Sequence, residues 1–134
     1  MKKPVKTLPD TNTILRYLLA DEPELFRKAA EMFEKVRTGE RKALILESVL
    51  VECVYVLTKY YGVPKREVAE KLKSFLLYKG IVNRDKGELT EALDIFSDEN
   101  IDFVDCLLCV KARKSDHSLF SFGKKLVNLA KSGV

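Results

Sequence analysis

The chain has no long apolar run. Its longest uninterrupted stretches, Cys53 to Leu57 and Cys106 to Val110, fall far short of the roughly 18 residues that a membrane span requires. Cysteine is scarce and odd in number, with only Cys53, Cys106 and Cys109, all inside apolar helical text. That pattern excludes a disulfide framework and predicts reduced thiols. A single histidine, His117, lies in a polar stretch with no second ligand nearby, so a histidine metal centre is not expected and His117 is assigned to the surface. Internal repeats, low-complexity segments and linkers are lacking too. The basic start Met1-Lys2-Lys3 runs into Pro4, Lys6 and Pro9 rather than an apolar signal core, which predicts a cytoplasmic protein with no membrane partner.

What is present fits one globular unit. The 134 residues are 46% hydrophobic and 33% charged, enough apolar material for a core and too much for general disorder. A single domain over residues 1–134 is expected. Lysine and arginine exceed aspartate and glutamate by 24 to 20, a net charge of +4, which permits a polyanionic partner without demanding one.

Periodicity supplies the organisation. Val5 to Leu8, Ala43 to Leu46 and Ile81 to Asn83 read as short strands, and Ser118 to Phe122 as a fourth. Between them, apolar residues recur at helical spacing: Ile14, Leu15, Leu18 and Leu19; then Leu25, Ala29, Met32, Phe33 and Val36; then Val68, Leu72, Phe75 and Leu76. A helix is expected from Glu47 to about Tyr60, another from Asp102 to about Arg113, and a short one over Lys124 to Lys131. Asp21 with Glu24, and Asp85 with Glu88, have the spacing of capping boxes. Short strands alternating with helices predict an α/β domain with a mainly parallel sheet.

Carboxylates that interrupt apolar elements mark the candidate site. Glu52 is the only charged residue between Val49 and Leu57, and Asp105 stands between Phe103-Val104 and Cys106 to Val110. An ionised carboxylate in such surroundings is costly without a cation, a metal or several hydrogen-bond donors. Asp10 follows the first strand, where open α/β sheets place their ligand sites. If the three acids converge, their repulsion calls for a cation. Hard oxygen ligands suit Mg²⁺ or Mn²⁺, and such ions serve phosphodiester cleavage.

These residues lie in text that resembles the PIN domain family, and within it the VapC-type ribonuclease toxins. Asp10-Thr11-Asn12 with Ile14 to Leu19 is similar to the family's opening motif. Glu47-Ser48-Val49-Leu50-Val51-Glu52 resembles the second, and Ile101-Asp102-Phe103-Val104-Asp105 the third. The resemblance implies a three-layer α/β/α fold and a Mg²⁺- or Mn²⁺-dependent endoribonuclease with Asp10, Glu52 and Asp105 as catalytic and metal-binding acids. It further implies cleavage to a 5′-phosphate and a 3′-hydroxyl, a small antitoxin partner and a homodimer. Where the family carries Thr/Ser-Phe-Asp this chain has Ser121-Phe122-Gly123, so a fourth acid is missing and weak metal binding with reduced activity is expected.

Other residues carry a bland reading beside a functional one. Asn12 is a turn residue or a support for substrate, and Ser48 a helix cap or a member of the site. Asp102 reads first as the N-cap of its helix, with Asp105 as an acid of the same first turn; Asp102 and Asp116 also stand near enough in sequence to assist the acids, and Ser121 is a further supporting candidate. Arg16, Lys111, Arg113 and Lys114 are either RNA contacts or a solvated face. Cys106 and Cys109, though spaced like a metal pair, lie mid-helix among leucines and read as core. Two rivals follow: a catalytically weak or inactive PIN module that binds RNA or protein, and a phosphatase with Asp10 as nucleophile. Asp10-Thr11-Asn12 loosely resembles the haloacid-dehalogenase opening but has Asn12 where that family has a second aspartate.

Overall fold

A computed structural model describes residues 5–114 and 116–132. Helices dominate. In chain order they are α1 (Thr11–Leu19), α2 (Pro23–Thr38), α3 (Glu47–Tyr55) continued by a π-helical turn (Val56–Tyr60), α4 (Lys65–Leu76), α5 (Lys86–Asp98), α6 (Phe103–Arg113) and α7 (Lys124–Ser132). Their apolar stripes meet in a single core that includes Phe33, Leu50, Leu72, Phe75, Leu93 and Val110. Phe33 and Phe75 pack edge to face at 5.2 Å, and Tyr17 tilts against Phe33 at 5.0 Å. Cys53, Cys106 and Cys109 are free and buried in this core, as their surroundings predict.

The expected central sheet is reduced, among the described residues, to isolated parallel bridges of Thr7 with Ala43 and of Ala43 with Ile81. The order places Ala43 in the middle. Thr7 N donates to Lys42 O and Leu44 N to Thr7 O, both at 2.9 Å; on the other side Ala43 N donates to Gly80 O at 2.8 Å and Val82 N to Ala43 O at 2.9 Å. Beyond this point a side chain replaces the backbone. The buried Asn83 amide accepts from Ile45 N at 2.9 Å and donates to Ile45 O at 2.7 Å, copying a peptide unit. Gly80 is required for close approach rather than for a turn, because a Cβ there would collide with the carbonyls of Arg41 and Val36.

Several local expectations change. The segment 118–122 forms no strand among the described residues. Asp21 does not cap α2. Glu22 holds the N-cap position, Pro23 follows it, and Asp21 turns back to Arg16. Asp85 is the N-cap residue of α5, yet its carboxylate makes no cap bond and accepts from Asn83 Nδ2 at 2.9 Å. Gly39 ends α2 with φ of +87°, a conformation that glycine adopts without strain.

Asn83→Leu is expected to lower stability by about 2–4 kcal/mol, because it leaves the Ile45 N–H and C=O buried without partners. Chemical denaturation measures this, and a loss under about 0.5 kcal/mol would contradict the bridging role.

Candidate active site

Asp10 leaves the first bridged segment and becomes the N-cap of α1, with extended backbone and its Oδ1 accepting from Thr13 N at 3.0 Å. Capping and site membership therefore coexist in one carboxylate. One turn into α3, Glu52 projects into the same shallow cleft, which is lined by Asp10, Thr11, Asn12, Leu15, Val49 and Glu52. The Thr11 hydroxyl donates a short hydrogen bond to Glu52 Oε1 and ties the start of α1 to α3. The sequence gives Thr11 no role of its own; its place between Asp10 and Asn12 was the available signal.

Asp10 and Glu52 are both exposed at the cleft. The apolar neighbours of Glu52, such as Leu50, Cys53 and Val54, are buried on other faces of α3, so the expectation of a desolvated carboxylate does not hold for it. Both charges nevertheless act on the Cys53 thiol, whose pKa is pushed up to about 12 by burial first and by Glu52 and Asp10 after it. A thiol with so raised a pKa is inert as a nucleophile.

Asp105 is half-buried in the first turn of α6 and lines a different cleft, together with Asp102, Val51, Val54 and Tyr55. On α3, Val49 and Glu52 face one cleft while Val51, Val54 and Tyr55 face the other. Among the described residues no three His, Cys, Asp or Glu side chains close on one ion position. The structure thus brings Asp10 and Glu52 together and sets Asp105 beside them on a neighbouring face. Gly123 lines neither cleft; its backbone is outside the left-handed region, and its N–H donates to Ser121 Oγ at 3.0 Å.

The donors fit a hard divalent cation in an open site. Mg²⁺ is commonly held by one or two carboxylates with water and substrate phosphate completing the shell, and Asp10 with Glu52 matches that set. Both are oxygen ligands within one cleft, with the Asn12 side chain on its wall.

The four basic residues read as either RNA contacts or a solvated face are engaged within the protein. Arg16 is only 8% exposed, with Nη1 3.0 Å from Asp21 and 2.7 Å from Glu22 and Nη2 donating to Tyr61 Oη at 2.8 Å. Lys111 lies 3.0 Å from Glu88 and 3.3 Å from Glu47. Arg113 donates to Leu129 O at 2.8 Å and approaches Glu91 at 3.5 Å, and Lys114 reaches Glu91 at 4.0 Å. Arg16 ties α1 to the turn after it and to Tyr61, while Lys111 and Arg113 fasten α6 to α3, α5 and α7. Ser48 is an exposed residue in the first turn of α3, where Leu46 holds the N-cap position, so Ser48 is no cap. His117 is exposed, as expected.

A family model of the PIN domain matches residues 7–132. The chain belongs to the PIN domain family. Within that family it is similar to a VapC ribonuclease of Aquifex aeolicus (strain VF5), 28% identical over 123 residues that cover 91% of this chain and 90% of the relative. No solved structure gives a match. The PIN match spans the residues that line both clefts. No helix among the described residues is long and apolar enough to cross a membrane.

Arg16→Met tests the reassignment of Arg16 from RNA to fold. It is expected to cost about 1–3 kcal/mol in stability, since charged hydrogen bonds of this kind carry that order of energy, and to leave RNA affinity unchanged. Thermal unfolding with filter binding reads both; a large drop in affinity at unchanged stability would restore the RNA role.

Proposed function

We propose that this PIN domain is a Mg²⁺- or Mn²⁺-dependent endoribonuclease and the toxin of a toxin–antitoxin pair. In this reading it is a cytoplasmic homodimer held in check by a small antitoxin protein. The observation that carries the reading is the meeting of Asp10 and Glu52 in one open cleft, within a chain similar along nearly its whole length to a VapC ribonuclease.

Asp10 and Glu52 would hold the divalent ion, which supplies neutralisation of phosphate charge and activation of water when bound. The chain's own groups do the rest. The N-cap bond to Thr13 N fixes the Asp10 carboxylate and leaves its second oxygen open to the cleft. Thr11 holds one oxygen of Glu52 and so orients the other. Asn12 offers an uncharged amide to a phosphate oxygen at the cleft wall, and Asp105, the third acid of the expected set, stands in the adjoining cleft across α3.

A second reading is a catalytically weak PIN module that binds RNA, because only Asp10 and Glu52 share the open cleft and a site with few acids attracts divalent ions less strongly. The phosphatase reading differs in leaving a phosphate covalently attached to Asp10.

Asp10→Asn and Glu52→Gln are each expected to lower RNA cleavage by about two orders of magnitude or more, with the fold intact. Asparagine caps helices as well as aspartate does, and glutamine keeps an oxygen for Thr11. A fluorescent-RNA assay with Mn²⁺, paired with circular dichroism, is the check. Undiminished cleavage by either variant would remove that residue from the site; absent cleavage by the wild type would favour the binding module.

A further inference from the structure

The deeper of the two clefts, bounded by α3, its π-helical turn and the start of α6, has a volume of about 460 Å³, within the range of small-ligand sites, about 300–1,000 Å³. We propose that it receives one unpaired guanine of the RNA and so sets the cleavage sequence. The proposal rests on the ribonuclease reading above and deepens it.

Four observations support a base rather than a phosphate or a purely apolar ligand. Tyr55 lines the cleft and is 63% exposed, a large ring offered to solvent beside apolar walls of Val54 and Phe103. Aromatic rings so placed stack unpaired bases. The second observation is Asp102. It occupies the N-cap position of α6, where an aspartate usually accepts a backbone N–H, yet its carboxylate makes no cap bond and has no ion-pair partner among the described residues. Its acceptors remain available at the cleft mouth. Thirdly, the cleft's interior cation is already committed: Lys65 Nζ donates to Glu99 O at 3.0 Å and Ile101 O at 3.1 Å and lies 4.3 Å from the Phe96 ring centre. The carboxylate of Asp102 is therefore not neutralised by the cleft's interior cation. Finally, the π-helical turn carries Thr58 and Lys59 into the lining, and π-helical turns recur at functional sites.

An uncommitted carboxylate at the mouth selects a donor-rich edge. Guanine presents N1–H and N2–H side by side, matching the two oxygens of one carboxylate. Adenine, cytosine and uracil each present a donor next to an acceptor, which a carboxylate repels. Lys59, exposed at the rim and without an ion pair among the described residues, is placed to meet the adjoining phosphate and offset the acids. The guanine would then lie beside Asp105, next to the proposed scissile region.

The experiment compares binding of r(UUGUU), r(UUAUU), r(UUCUU) and r(UUUUU) by fluorescence anisotropy in EDTA, so that no cleavage intervenes. Wild type is expected to prefer the guanine oligonucleotide by about tenfold or more, the order set by one bidentate base contact. Asp102→Asn and Tyr55→Ala should each reduce that preference to about twofold or less, while Tyr55→Phe, which keeps the ring, retains it. Inosine in place of guanine, lacking the N2 donors, should bind with intermediate affinity. Equal binding of all four by the wild type, or a preference untouched by Asp102→Asn, would overturn the proposal. Cleavage of a mixed-sequence RNA with Mn²⁺ is measured separately. Selective binding without cleavage keeps the pocket and rejects the nuclease; cleavage without selective binding does the reverse.

Discussion

Three very short parallel segments fix where α1, α3 and α5 set out from the core, and their pairing is completed by one buried side chain. Thr7, Ala43 and Ile81 are bridged through backbone bonds, and Asn83 adds the equivalent of a further peptide unit against Ile45. The consequence is positional. Asp10 follows the first segment and α3 follows the second, so the spacing between Asp10 and Glu52 is set by how those segments pair. Two like charges brought together by the fold repel each other, and the cleft's openness keeps that cost low while leaving both carboxylates accessible.

Around the site the protein meets its charge locally. Arg16, Lys111 and Arg113 each bind acids or carbonyls from another part of the chain, which clamps α1 to the following turn and α6 to α3, α5 and α7. Asp10 and Glu52 receive no such cation among the described residues. A chain with 24 basic residues thus leaves its paired acids without a cation among the described residues, the electrostatic condition that a divalent cation relieves.

Much of this was legible in the sequence because it is local. Helical spacing marks α1, α2 and α4, the expected ranges of α3 with its π-helical turn, of α6 and of α7 hold to within a residue or two, Gly39 marks a helix end, and the buried cysteines follow from the leucines around them. The acids of the two clefts stand out as interruptions of apolar text. The sheet was less legible, since segments of three or four residues carry a strand's composition without enough length to pair as one, and Asn83 works through its side chain. Partners of the basic residues were hidden for another reason. Glu88 and Lys111 are 23 residues apart, and only the packing of α5 on α6 joins them. The placing of Asp105 on a second cleft depends on which face α3 turns to α6, and no local pattern reports that. Nor does any residue type announce the π-helical turn that brings Thr58 and Lys59 to the same wall as Tyr55.

Manganese itself is the most direct probe of the central claim, that Asp10 and Glu52 form the ion's seat. In a ¹⁵N-labelled sample, Mn²⁺ added well below one equivalent broadens amide signals according to their distance from the ion. The account predicts that Thr11, Asn12, Glu52 and Cys53 vanish first, that residues from Asp102 to Asp105 follow at higher Mn²⁺, and that Glu52→Gln weakens the effect. Broadening that begins at Asp102 to Asp105 and spares Thr11 and Glu52, or that spreads evenly over the surface, would contradict it.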